Sequence, residues 1–279
     1  AAAKNFEKAI EYARISNSQQ AEALSLSSLG DLYRDLDAFR EAVDVYKQAQ
    51  SIAKQLNDRF LLFYLDLAES VLDRLSGDFP KAKFLLQAAE SKVLDSESAY
   101  TVNLLNSEWA MYHLTKSRHK EALNSATKAF EYFQSGGHEN ELLRAAFCCA
   151  LALTGMGEKD QAKEYLDKVM VTLMENNYAT PLTVQGREFK HILSSVKGPH
   201  DLKGQYARIL ERIENFDEKL PEMRRNIRRQ ANIVPFAPPR MIIQSFGKAQ
   251  VYLSNKLVTN SDWQTQISRN MFFLFLAHP

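Results

Sequence analysis

Ala42, Ala82, Ala122 and Ala162 stand forty residues apart, and each sits in the same local phrase. A loop leads to a basic or polar residue and then the alanine. An apolar residue follows four positions on, and a small or apolar residue seven positions on. The copies read FREAVDVYKQA, FPKAKFLLQAA, HKEALNSATKA and DQAKEYLDKV. A fixed period of this length marks a helical repeat array. It constrains the fold strongly, because one such unit cannot bury its own apolar face and its neighbours must stack on it. Arrays present surfaces, so the expected function moves away from a reaction centre.

Composition agrees with a helical chain: Gly (10) and Pro (8) are scarce among 279 residues, and both are poor helix formers. The net charge of +1 provides no global attraction to nucleic acid or an anionic membrane. No apolar run approaches the ~18 residues of a membrane span, and the start has no signal-peptide pattern. Cys148 and Cys149 are adjacent. Adjacent cysteines suit a reducing, cytoplasmic setting better than a structural disulfide. A redox or metal site is one reading of the pair; two small apolar residues at a close helix crossing is the preferred one. The chain opens without Met and reads as an interior piece of a longer protein.

Leu26, Leu29, Gly30, Tyr33, Ala42, Tyr46 and Ala49 fall at spacings that resemble the tetratricopeptide repeat (TPR). Gly30 and Ala42 are small where two helices of a hairpin cross, and Tyr33 and Tyr46 fill the space beside the crossing. The third repeat fits through Trp109, Ala110, Ala122, Ala126 and Ala129. Cys149, Ala150, Leu153, Ala162, Leu166 and Val169 carry the fourth. In the second, the first helix, around Phe63 to Leu75, reads as shifted by one or two residues. Ala9 and Ala13 suggest the second helix of a preceding repeat. The resemblance covers residues 1–178 and implies an all-α, TPR-like superhelix of helix hairpins. Forty residues exceed the usual thirty-four, and the surplus is expected at helix ends and turns such as VLDSESAYT and QSGGHEN. Long-period arrays of this kind resemble the sensor arrays of the maltose-activator class of ATP-dependent transcription regulators.

First helices line the concave face of such an array. Ser27, Asp31 and Arg34 are expected there, with Ser107, Met111 and Leu114 in the third repeat and Arg144, Phe147, Leu151 and Thr154 in the fourth. A groove of this mixture suits a protein, a peptide or a small effector. The competing reading is that these residues pack on neighbouring helices or face water.

Residues 179–231 lose the period. TPLTVQGREFKHILSSV reads as one helix ended by KGP. Leu202, Tyr206, Ile209, Ile213, Phe216, Leu220, Met223 and Ile227 then alternate in steps of three and four. Such a heptad seam serves either a homodimeric coiled coil through 202–230 or a cap on the last repeat; the cap is preferred. Pro221 predicts that one helix ends near Leu220 and another begins. Arg224, Arg225, Arg228 and Arg229 form a basic stripe beside the seam. It suits a phosphate contact, an acidic partner surface or a solvated helix end.

Residues 232–240 hold three prolines and read as a linker. Beyond them, in 241–279, the period changes to alternation. Strands are expected over Met241–Phe246, Gln250–Leu253 and Lys256–Val258, and a helix from about Gln264 to Ala277 with Ile267, Met271, Leu274 and Phe275 on one face. Phe246-Gly247, Val251-Tyr252-Leu253, Asn255-Lys256, Trp263 and Leu274-Phe275-Leu276-Ala277-His278-Pro279 resemble the opening of the OmpR-like winged-helix domain of SARP-type activators. The turn departs from that family in lacking Gly after Asn255, and Gln264 and Gln266 stand where Arg is usual. The resemblance implies a truncated α+β segment whose DNA-reading helix and wing lie beyond Pro279.

No Gly-rich phosphate loop, HExxH or GxSxG occurs, so no catalytic residue, cofactor or metal is expected in this chain. The maltose-activator resemblance implies ATP in a domain upstream of Ala1. The expected function is the sensor and coupling module of a transcriptional regulator. It binds an effector or partner domain and controls an adjoining module, through which alone DNA is bound. The alternative is a general TPR adaptor that holds a peptide or partner protein.

Overall fold

The computed structural model describes residues 2–94, 98–175, 180–195, 200–230, 241–244, 249–253, 256–259, 262–263 and 265–277. Two compact units result, Ala1–Val234 and Pro235–Pro279.

The first unit opens with α1 (Ala2–Ile15), α2 (Gln19–Asp35), α3 (Phe39–Leu56), α4 (Arg59–Leu75) and α5 (Phe79–Leu94). It continues with α6 (Ala99–Thr115), α7 (His119–Gly136), α8 (Glu139–Met156) and α9 (Lys159–Glu175). Helices α2, α4, α6 and α8 are the first members of four hairpins, and α3, α5, α7 and α9 the second. The fold is therefore an all-α array of helix hairpins. Helix α1 has the phase of a second helix, with Ala13 buried where Ala53 is buried forty residues on.

The backbone explains the period. Asn17, Asp37, Asn57, Gly77, Ser117, Gly137 and Gly157 all have positive φ, at multiples of twenty residues from one another. Behind each, the next residue's N–H donates to the carbonyl five positions back, as in Ala38 to Tyr33 at 2.8 Å and Glu158 to Leu153 at 2.9 Å. This is the Schellman closure, which satisfies helix carbonyls left open at the C-terminus. Forty residues are thus two half-units of one long helix and a short turn. The surplus over a thirty-four-residue repeat lies in the helices, which from α2 to α9 run 16 to 18 residues. Of the two places expected, the surplus therefore falls at the helix ends and not in the described turns; residues 95–97 of VLDSESAYT lie outside the described residues.

The second repeat is also in register, since α4 lies forty residues after α2 at both ends. It reads as shifted because polar residues occupy core positions. Ser70 stands where Gly30, Ala110 and Ala150 stand, and its Oγ donates to the Ala82 carbonyl at 3.0 Å. Asp66 and Asp73 are buried against Lys92 and Lys81. At the first crossing, a Cβ on Gly30 would lie 2.4 Å from Tyr46 Cε1, so any larger residue there forces the Tyr46 ring to move.

After the array come α10 (Thr180–Gly186), a 3₁₀ turn (Arg187–Phe189), α11 (Lys190–Ser195) and α12 (His200–Gln230). The single helix expected over 180–196 is broken at Gly186, where a Cβ would meet Ile213 Cδ1 at 2.8 Å. Helix α12 runs unbroken through Pro221, against the expectation of two helices. Proline costs an interior helix about 3 kcal/mol. Buried Tyr206, Ile209, Ile213 and Leu220 hold the turns before it. These four seam residues are buried within the chain, and Phe216, Met223 and Ile227 are half-buried.

In the second unit, β1 (Met241–Gln244), β2 (Gln250–Leu253) and β3 (Lys256–Leu257) form an antiparallel sheet in that order, followed by α13 (Gln266–Ala277). Trp263 packs on Phe272, ring centroids 5.1 Å apart, and Val251 is buried. The face of Ile267, Met271, Leu274 and Phe275 is exposed, whereas Phe272 and Phe273 turn toward Trp263. Among the described residues no helix is long and apolar enough to cross a membrane. The linker 232–240, Phe246, Gly247, Asn255, Gln264, His278 and Pro279 lie outside the described residues, as does the Lys256 side chain.

Candidate functional site

Concave positions recur every forty residues, so they form columns across α2, α4, α6 and α8. Leu24, Tyr64, Leu104 and Arg144 make one column; Ser28, Ala68, Glu108 and Cys148 a second; Arg34, Arg74, Leu114 and Thr154 a third. At the α2 end the face is polar. Asp31 accepts from Arg34 Nη1 at 2.8 Å, from Tyr46 Oη at 2.7 Å and from Tyr64 Oη. Arg34 Nε and Nη2 both donate to Asp35 Oδ1, at 3.1 and 2.9 Å. Burial, then the Asp31 charge, pushes the Tyr64 hydroxyl far above its ordinary range. It stays a donor. Burial also raises the Asp35 carboxyl, against the opposing pull of Arg34.

In the middle of the face, Arg144 Nη2 donates to Glu108 Oε1 at 2.8 Å, and Arg74 Nη2 stands 3.7 Å from Glu108 Oε2. Arg74 also pairs with Glu188 of the 3₁₀ turn. Burial opposes the Arg144 cation, but Glu108 outweighs it and holds the guanidinium charged. Arg34, Tyr64, Leu67, Ala68, Val71, Leu104, Glu108 and Arg144 enclose a cleft of about 90 Å³. That is room for roughly three waters, well short of the roughly 300 Å³ at which ligand pockets begin.

Elsewhere the face is filled by the chain itself. Tyr206 Oη of α12 lies 2.7 Å from Thr154 Oγ1 and donates to the Ala150 carbonyl at 3.2 Å. Gln185 Nε2 of α10 lies 2.9 Å from Met111 Sδ and 3.1 Å from Cys148 Sγ. With α7 and α9 on one side and α10–α12 on the other, every residue from Ala145 to Leu153 is buried. Both cysteines are free and lie in this core. Burial is the main reason their thiols are raised, Cys149 to about 12 and Cys148 beyond that. Burial thus disfavours the thiolate at both positions, which fits the packing reading.

Arg187 locks this filling in place. Its Nη1 and Nη2 reach Asp37 Oδ1 and Oδ2 at 2.9 and 2.7 Å, and Nε reaches Asp217 Oδ1 at 2.6 Å. Nη1 also lies 3.4 Å from the Asp35 carbonyl, and the guanidinium stands 5.4 Å from the Phe216 ring centroid. Lys190 pairs with Asp217 as well. One arginine thereby joins the turn of the first hairpin, the 3₁₀ turn and α12, across 150 residues of sequence.

The expected groove residues divide accordingly. Arg34 and Arg144 line the cleft, and Asp31 holds Arg34 beside it. The remaining seven are corrected. Ser27 and Ser107 are buried and donate to their own helices at Ala23 and Asn103. Met111, Leu114, Phe147 and Leu151 are core, and Thr154 is taken by Tyr206. For Met111, Phe147 and Thr154 the reason is that α10–α12 cover the third and fourth repeats, with Gln185 on Met111, Gly186 beside Phe147 and Tyr206 on Thr154. Of the basic stripe, Arg225 and Arg229 are exposed, Arg224 is half-buried, and the Arg228 side chain is outside the described residues. Tyr64 and Arg74 were obscured by the apparent shift of the second repeat. Glu108 is the member of its column that no motif marks. Arg187, Asp37 and Asp217 carry no periodic signal.

No family model matches the chain, and no curated protein matches it. Among solved structures, the crystal structure of BtubC (BKLC) from P. vanneervenii is similar, with a TM-score of 0.51 and 16% identity. The similarity covers 87% of this chain and 97% of that one. At that identity it shows the helix-hairpin repeat fold alone.

Proposed function

We propose that this chain is the sensor and coupling module of a transcriptional regulator, acting by binding and not by catalysis. The observation that carries this reading is the Arg187 bridge, which ties the first hairpin to α12, the last helix before the unit boundary at Val234. A protein or effector that engages the concave face competes with α10–α12 or shifts them, and α12 carries that shift toward the C-terminal unit. Such a ligand acts only through its preference for one arrangement over the other. The strand order and Trp263 packing of the second unit support a winged-helix opening, through which the intact protein reaches DNA. A nucleotide-dependent domain upstream belongs to the same reading.

The test is DNA binding by the intact gene product, with nucleotide present, to its own upstream region. Arg187→Gln is expected to change occupancy several-fold at fixed protein concentration. An intact product that binds no promoter DNA under any of these conditions sinks the regulator reading. The general adaptor then stands in its place, supported by the helix-hairpin repeat fold.

A further inference from the structure

The last twelve residues of α12, Lys219–Gln230, hold five basic side chains and one acidic one, Glu222, in a chain of net charge +1. The rest of the molecule is therefore net acidic, and positive charge is concentrated at one helix end. The placement follows from helical geometry at 100° per residue. Leu220, Met223 and Ile227 share the face turned to the protein, buried or half-buried. Arg225 and Arg229 lie on the opposite side of the helix and are exposed, with Arg224 at the flank.

These arginines differ from the others described above. Arg34, Arg74, Arg144 and Arg187 are each fixed by carboxylates. Arg224, Arg225 and Arg229 have no carboxylate partner among the described residues. Their neighbours on the exposed side, Glu222 and Asn226, are polar, so the face offers no apolar anchor. A protein partner draws most of its affinity from a few centrally buried anchors, most often Trp, Tyr and Arg packed in a desolvated pocket, and no aromatic side chain stands among these arginines on the helix face. A phosphate backbone requires only charge-assisted bonds, and the guanidinium fork suits phosphate oxygens in pairs.

We infer that the arginine face at the end of α12 docks the phosphate backbone of nucleic acid without reading sequence. The inference stands on charge and exposure in the first unit and does not depend on the regulator reading.

The test is fluorescence anisotropy of the 279-residue chain with a labelled random-sequence DNA duplex, between 50 and 200 mM salt. If Arg224, Arg225 and Arg229 each neutralise one phosphate, affinity falls by roughly 40-fold across that range. Arg225→Gln with Arg229→Gln is expected to cut the logarithmic salt slope to about a third, leaving a fall of roughly 3-fold. Both residues are exposed, so the variant's melting temperature is expected to stay unchanged and serves as the folding control. Arg225→Lys with Arg229→Lys is expected to keep the slope and weaken binding. No binding at 50 mM salt, or a slope unchanged by the Gln variant, overturns the inference. Equally tight binding of polyglutamate at matched charge also overturns it, in favour of an acidic protein.

Discussion

Arg187→Gln removes a bidentate pair with Asp37 and a third ion-paired bond to Asp217 in one step. The Arg187 and Asp37 side chains are 20% and 31% exposed. Fully exposed pairs contribute roughly 0.2–1 kcal/mol, and breaking a buried pair costs roughly 3–5 kcal/mol. At this intermediate burial, with two well-formed bonds, the direct coupling between Arg187 and Asp37 is about 1.5 kcal/mol. Loss of Asp217 and of the Phe216 face brings the single variant to about 2–3 kcal/mol. For a unit of this size, each kcal/mol lowers Tm by roughly 2–4 °C, so a fall of about 8 °C is expected. The assay is a double-mutant cycle of Arg187→Gln and Asp37→Asn by urea unfolding. Additivity within about 0.4 kcal/mol would refute the bridge as a stabilising contact. Acid titration provides a second readout. Burial raises the Asp217 carboxyl, but Lys190 and Arg187 outweigh it and hold the pKa below the ordinary value. A depressed folded pKa means stability that is full above about pH 4. It is lost as pH falls through the folded value. Arg187→Gln is expected to flatten that acid limb.

Three further outcomes follow from the backbone and the core. Ser117 has φ 54° where Gly77 and Gly157 occupy the same turn position. Ser117→Gly is expected to stabilise by up to about 1 kcal/mol and Gly77→Ala to destabilise by about 1–2 kcal/mol, read by thermal melting. Gly30→Ala drives a methyl into the Tyr46 ring, whose hydroxyl is tied to Asp31. It is expected to cost about 2–3 kcal/mol in urea unfolding, while Ala110→Gly in the same column costs about 1 kcal/mol. Cys148 and Cys149 are expected to resist a thiol-specific reagent in the native protein and to react together on unfolding; rapid native labelling would contradict their packing in the α8 core.

The array was legible because its period is carried by sterics. Small residues at 30, 70, 110 and 150 and alanines at 42, 82, 122 and 162 are needed wherever two helices cross. The alternation of Met241–Gln244 and Gln250–Leu253 likewise matched the sheet. Polar core residues misled, because Asp66 and Asp73 need Lys92 and Lys81 from the next helix before they look buried. The filled groove did leave a local sign. Residues 145–153 of α8 are apolar on every face, and a helix without a polar stripe is covered on all sides. A groove-lining helix with water beside it would not read that way. Pro221 weighed toward a break because a local penalty was set against packing that only the folded array provides. Arg187 was invisible for the same reason: its partners are Asp37 and Asp217, and no spacing rule links positions so distant.

Helices α10–α12 fill the concave face as part of one core with α8. Amide hydrogen exchange of the full chain tests it most directly, with peptides covering 206–220 compared with those covering 145–153. Similar protection is expected for both, since Tyr206, Ile209 and Ile213 share a core with Phe147 and Cys148, and cooperative units open together. Exchange of 206–220 at the rate of an exposed helix, with 145–153 still protected, would contradict it.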